Sequence, residues 1–205
     1  LIPIFAVAAK QEFGVKELLE AICRYFPSPA DRGAKDAEDN EIPVGEEQPF
    51  AGIVWKSVQD PYAGQLSFVR VVSGTVSADS EIANATNGGK EKVATLLLVN
   101  GDKQDAVDSA RAGDLIAISK LKNVDVSDCL CAAGQNIRVA PIAFPQPVVF
   151  HAVVPKNKGD EDKLVTGLSR MADDDPTIQV DKNAQTGDLI LAGMGDVQLD
   201  IAIQK

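Results

Sequence analysis

With 205 residues, 45% of them apolar and 24% charged, the chain has room for one large or two small domains and the composition of an ordinary globular protein. No apolar run reaches membrane-spanning length. A net charge of −10 excludes a free-standing nucleic-acid binder that works by bulk phosphate neutralisation, while leaving room for docking through a few local basic residues.

The opening Leu1-Ile2-Pro3-Ile4-Phe5-Ala6-Val7 has no basic flank and no cleavage-like end, so it predicts a buried strand rather than a signal peptide. Gly14 then precedes Val15, Leu18, Leu19, Ile22 and Phe26, a helical stripe that Pro27-Ser28-Pro29 ends. One strand and one helix cannot enclose a core, so residues 1–29 must pack against something else. Residues 30–47 are acidic and nearly free of large apolar groups, which predicts a solvated linker or loop.

Short strands separated by turns follow from Phe50 to Ile142. Residues 51–58 form the first. Asp60-Pro61-Tyr62-Ala63-Gly64 is a turn signal, in which Pro61 presets φ and Gly64 supplies φ > 0. Leu66, Phe68, Val69, Val71 and Val72 make the next strand, closed by Ser73-Gly74. Residues 80–84 lead into Asn87-Gly88-Gly89, and residues 92–99 end at the tight-turn dipeptide Asn100-Gly101. Residues 102–111 are polar and loop-like, and Ala112-Gly113-Asp114 precedes a strand at 115–119. Strands at this spacing predict a closed β-barrel.

The pattern changes after Pro141, Pro145 and Pro147. Residues 148–154 predict a strand. Residues 160–171 predict a helix with Leu164, Leu168 and Met171 on one face and Asp160 as its cap, broken at Pro176. Residues 178–181 and 189–192 form a hairpin around 183–187. This β-α-β-β order is most of a ferredoxin-like unit. In the last segment Val197, Leu199, Ile201 and Ile203 alternate, which favours a strand, while Gly193-Met194-Gly195-Asp196 resembles a turn into a capped helix.

Most motifs of catalysis are missing. Gly88-Gly89-Lys90 is followed by Glu91 and sits in a hairpin turn, so it is not a phosphate loop; no zinc-helix motif and no Gly-x-Ser-x-Gly elbow occur. Three cysteines, Cys23, Cys129 and Cys131, point to a reducing setting. Cys129 and Cys131 fall on one face of a strand and are small apolar packing residues there. The single histidine, His151, is a strand residue rather than a ligand or base. Asn157-Lys158-Gly159-Asp160 matches the guanine-reading Asn-Lys-x-Asp pattern, but with no phosphate loop upstream it predicts a solvated loop and helix cap. Asp173-Asp174-Asp175 lacks the ligand spacing of a calcium loop and predicts a solvated connection.

Several segments, in order, resemble the elongation factor G family of translational GTPases. Residues 3–10, Phe13 to Leu19 and Tyr25-Phe26-Pro27-Ser28-Pro29 resemble the end of its GTPase domain. Residues 50–74, Ala112-Gly113-Asp114-Leu115-Ile116-Ala117 and Asp128-Cys129-Leu130-Cys131 resemble its second domain. Phe144-Pro145-Gln146-Pro147-Val148, Asp174-Asp175-Pro176-Thr177 and residues 186–201 resemble its third. The resemblance implies a mixed β and α+β fold: a strand-helix remnant of a P-loop GTPase domain (1–29), an acidic linker (30–47), a translation-factor-type β-barrel (48–142) and a truncated ferredoxin-like α/β domain lacking its last strand (143–205). It makes the terminal segment a helix. It also implies an internal fragment, catalytically inert alone, whose truncation leaves a strand edge and apolar surface exposed.

The implied parent is a cytoplasmic, GTP-dependent ribosomal factor that translocates or recycles, with GTP and Mg²⁺ held by domains outside this chain. The implied partners are small-subunit RNA and protein, together with the GTPase and distal domains in cis, and neither membrane nor DNA. Ala8, Ala9 and Lys10 occupy the place of the family's last guanine motif, where Ser-Ala is typical; Ala8 removes the serine hydroxyl. Gln198 stands where histidine is usual, and Asp196 and Asp200 where glutamates are usual. Ribosome-contact candidates are the barrel cations Lys56, Arg70, Lys90 and Lys92. The competing readings are a non-catalytic binding or adaptor module and, within the family, a ribosome-protection or release-factor-type GTPase.

Overall fold

The computed structural model describes residues 2–60, 64–155, 157 and 159–204. Pro61, Tyr62 and Ala63 of the predicted turn, Lys158 of the Asn-Lys-x-Asp match and Leu1 of the opening run lie outside the described residues.

Residues 2–7 join no sheet, contrary to the expected strand. The first pairing is an isolated bridge between Ala8 and Phe13. An apolar run becomes a strand only against a partner that takes up its backbone groups, and Ile2 and Ile4 stand 89% and 91% exposed. Helix α1 (Val15–Tyr25) follows as predicted. Only Ala21 of it is buried, whereas Leu19, Tyr25 and the adjoining Phe26 are exposed.

The acidic segment is folded rather than a loop. Ser28 and Asp31 form a reciprocal capping box at α2 (Pro29–Arg32). The strands β1 (Ala34–Lys35) and β2 (Glu41–Ile42) then pair as a small hairpin. Its turn is built by the Asp36 carboxylate, which accepts from the amides of Glu38 and Asn40. One apolar residue anchors it: Ile42 packs in a buried cluster with Ala51, Ile53, Cys129, Cys131 and Val139.

The barrel strands are β3 (Ala51–Asp60), β4 (Gly64–Ser73), β5 (Thr75–Ser77), β6 (Glu81–Asn84), β7 (Lys90–Lys92), β8 (Leu96–Asn100), β9 (Lys103–Val107), β10 (Ser109–Arg111), β11 (Leu115–Ser119) and β12 (Cys129–Ala132). Eight pair in the order β7-β6-β12-β3-β4-β11-β8-β9, and β5 with β10 forms a separate ribbon. Every pairing is antiparallel. The sheet curls on itself: Ile82 of β6 and Leu96 of β8, near opposite ends of that order, share one buried cluster with Val54, Val69, Ile116 and Leu130. Residues 102–111, expected as a loop, hold β9 and β10. Strand β9 is exposed on both faces except at Val107, so it carries no apolar alternation to read.

Cys129 and Cys131 share the packed face as expected. Their thiols donate to the carbonyls of Val139 and Gln135, and burial pushes both upward from the usual thiol range.

The third unit comprises β13 (Val149–Val153), α3 (Glu161–Asp174), β14 (Gln179–Lys182), β15 (Leu189–Gly193) and α4 (Asp196–Gln204), with sheet order β13-β15-β14. This is the predicted β-α-β-β unit with a second helix after it. The alternation in 197–203 belongs to a helix, not a strand: Leu199 and Ala202, three apart, are buried, while Val197, Ile201 and Ile203 face out. Asp160 adjoins α3 but makes no capping bond; its carboxylate instead accepts from Lys163 and Asn157. Among the described residues no helix is long and apolar enough to cross a membrane.

Candidate functional site

A β-bulge organises the outer face of the barrel. Val54 pairs with Val69, and the next registered pair is Lys56 with Phe68, so Trp55 is an extra residue in β3. Extra residues break the two-residue period and re-aim side chains. Here the bulge leaves both Trp55 and Lys56 exposed in succession, within a strand that otherwise buries Val54 and Ser57. Phe68 stands between them: its ring lies 5.7 Å from that of Trp55 at 64°, and the Lys56 ammonium lies 5.5 Å from its centroid.

Arg70 is two residues beyond Phe68 on β4 and therefore on the same face; it is exposed. It also lines a cleft of about 630 Å³ beneath Phe26, Pro29 and Arg32. Neither Lys56 nor Arg70 makes an ion pair with another described residue.

The fold thus brings Lys56 and Arg70 together and sets Lys90 and Lys92 apart on the terminal strand β7. Both β7 lysines point outward because Glu91 between them turns in, where its carboxylate accepts from the amides of Lys122 and Asn123. Lys92 lies 3.5 Å from Asp79, an exposed pair of small worth. Trp55 joins this candidate face without any motif to mark it. The apolar-polar alternation of 51–58 fails at Trp55-Lys56, and that failure was the available signal.

Ala8, Ala9 and Lys10 fold as one turn in which Ala8 is half-buried and Ala9 and Lys10 are exposed. The Ala8 carbonyl accepts from the amides of Gln11 and Phe13, and the 3₁₀ turn Ala9–Gln11 follows. Asp160 of the Asn-Lys-x-Asp match is engaged by Lys163 first and Asn157 second, contacts that hold its carboxyl below the usual range. His151 on β13 lies 2.9 Å from the Asp196 carboxylate at the start of α4. Asp175 is tied to its own turn by Thr177 and Gln198. Among the described residues no group of three or more His, Cys, Asp or Glu is placed to hold a metal ion.

Between the two units, residue 142 is the last bonded to the barrel, its amide donating to the Ser127 hydroxyl, and the Val148 amide donates to Gly193 of the third unit. Residues 143–147 connect them with no strand or helix. Helix α3 reaches back to β3, and Asp173 near its end acts on Asp125 of the barrel.

Two family models match the chain: elongation factor G domain 2 over residues 49–133 and elongation factor G domain III over residues 144–205. Among curated proteins, elongation factor G of Hyphomonas neptunium is 37% identical over the whole chain, and those of Pseudothermotoga lettingae and Dehalococcoides mccartyi are each 36% identical. The chain spans 30% of the length of each of these relatives. A crystal structure from Thermus thermophilus superposes on 97% of the chain with a TM-score of 0.79 and 25% identity, over 28% of its own length.

Proposed function

We propose that this chain, which belongs to the elongation factor G family through its second and third domains, supplies ribosome docking and interdomain coupling to a GTP-dependent translation factor. The proposed division is a GTPase-domain tail in 1–29, a lead-in segment in 30–47, the barrel in 48–142 and the third domain in 143–205. The observation that carries the docking role is local: in a chain of net charge −10, Lys56 and Arg70 share one barrel face without acidic partners among the described residues. A local cationic face attracts phosphate even on an acidic protein. Lys90 and Lys92 form a second, separate pair of contacts. GTP and Mg²⁺ belong to the GTPase domain, with Ala9 of the Ala8-Ala9-Lys10 turn offering its backbone to the guanine. The site of action is the cytoplasm.

Coupling rests on the 143–147 connection. Pro145 and Pro147 within it, and Pro141 just before it, stiffen a short joint between two bonded units. The test of docking is co-sedimentation with small ribosomal subunits at defined salt. Reversing Lys56 and Arg70 together to Glu should release the chain from the subunits and lower the salt dependence of binding. Undiminished binding of that variant would remove the docking face from the account.

A further inference from the structure

We infer that the Trp55–Phe68 pair is a stacking platform for an unpaired base of single-stranded RNA, with Lys56 and Arg70 on the flanking phosphates. This rests on the ribosome-docking reading and names the chemistry of its contact. Four observations converge on it. A bulge, rather than ordinary alternation, turns Trp55 outward next to Lys56. Trp55 is 40% exposed, a large aromatic surface whose one ring partner among the described residues is Phe68. Phe68 packs against that ring at 64°, an edge-type contact that holds its orientation. Finally, the two cations on the same barrel face, Lys56 and Arg70, are exposed and have no acidic partner among the described residues.

Aromatic faces interleaved with cations are the elements by which proteins hold single strands: the base stacks and the backbone is neutralised. A purely apolar protein partner would leave Lys56 and Arg70 facing an uncharged surface, at a desolvation cost. An acidic peptide would use the cations but not the ring.

Trp55 is the chain's one tryptophan, so its emission reports on the platform directly. The probe is an oligouridylate of about 12 nucleotides, within the usual site size for such surfaces. Titration should quench the emission saturably, and added salt should reverse it. With a fluorescently labelled oligonucleotide read by anisotropy, Trp55→Ala should weaken binding by about tenfold, the usual value of one stacked base. Trp55→Phe keeps a ring and should retain most of the affinity, which separates stacking from misfolding. Replacing Lys56 and Arg70 together by Ala should reduce the slope of log affinity against log salt by about 1.4. No saturable quenching, an unchanged affinity in Trp55→Ala, or equal quenching by polyglutamate would overturn the proposal. Co-sedimentation of unmodified chain with small subunits is run alongside. Retained pelleting without oligonucleotide quenching sinks the platform and leaves ribosome docking standing, whereas quenching without pelleting supports the platform and counts against the docking reading.

Discussion

Gly74 closes the turn-strand segment 60–74 and fixes the lead-in chain to the barrel, so its replacement by Ala is a sharp test of how the two pack. Its φ is +66°, a region that costs an L-residue about 1–2 kcal/mol. Its amide donates to the Gly45 carbonyl and its own carbonyl accepts from Ala112, each at 3.0 Å. A Cβ here would collide with the backbone of residues 48–50: the Gln48 carbonyl oxygen, the Phe50 nitrogen at 2.6 Å and the Pro49 carbonyl carbon at 2.6 Å. Backbone atoms cannot rotate away as a side chain can, so the lead-in must shift, at a further cost of about 1–3 kcal/mol. Gly101 supplies the control. It has φ +64° at the turn between β8 and β9, with nothing within 4 Å of its Cβ position. Gly101→Ala should therefore lose about 1 kcal/mol, and Gly74→Ala about 3 kcal/mol. In urea, followed by Trp55 emission, an m-value of about 2 kcal/mol/M turns these losses into midpoint shifts of about 0.5 M and 1.5 M. Equal shifts for the two variants would refute the claim that Cβ collision, rather than φ alone, makes Gly74 necessary.

Three other substitutions have defined outcomes. Gln198→Ala removes an acceptor for the Met194 amide and the donor to Asp175 and Thr177, and should cost the third domain about 2 kcal/mol by chemical denaturation. Burial, and then the charges of Asp128 and Asp173, raise the Asp125 carboxyl above its ordinary value of 3.8. A raised carboxyl is penalised by folding when ionised, so Asp125→Asn should raise Tm at pH 7, with the gain fading as the pH falls towards 3.8. Asn84, fully buried, donates to Asp128 and Asn123 and accepts from the Thr86 amide; Asn84→Ala should destabilise the barrel by about 3 kcal/mol in urea denaturation.

The strands of the barrel were legible where one face is buried and the other wet, as in β4, and where a Gly or Asn-Gly turn marks the end. They were illegible where that contrast fails. Strand β9 is solvated on both sides, so nothing in its sequence alternates with burial. The opening run reads as a strand because its apolar residues need a partner, and no strand lies beside it among the described residues. The 30–47 segment reads as solvent-exposed from composition, yet the single residue Ile42 and the Asp36 turn suffice to dock it. Helix α4 is apolar around most of its circumference, and only burial at Leu199 and Ala202 separates helix from strand. For the candidate site, sequence supplied Lys56 and Arg70 as separate cations. Their meeting on one face depends on strand register and on the bulge at Trp55, neither of which composition encodes.

The role proposed for this chain is docking on the small ribosomal subunit through the Lys56–Arg70 face. Equilibrium binding of the chain to purified small and large ribosomal subunits, with full-length elongation factor G as competitor, tests it most directly. The expected result is saturable binding to the small subunit that the full-length factor displaces. Equal binding to both subunits, or binding that the factor leaves untouched, would contradict it.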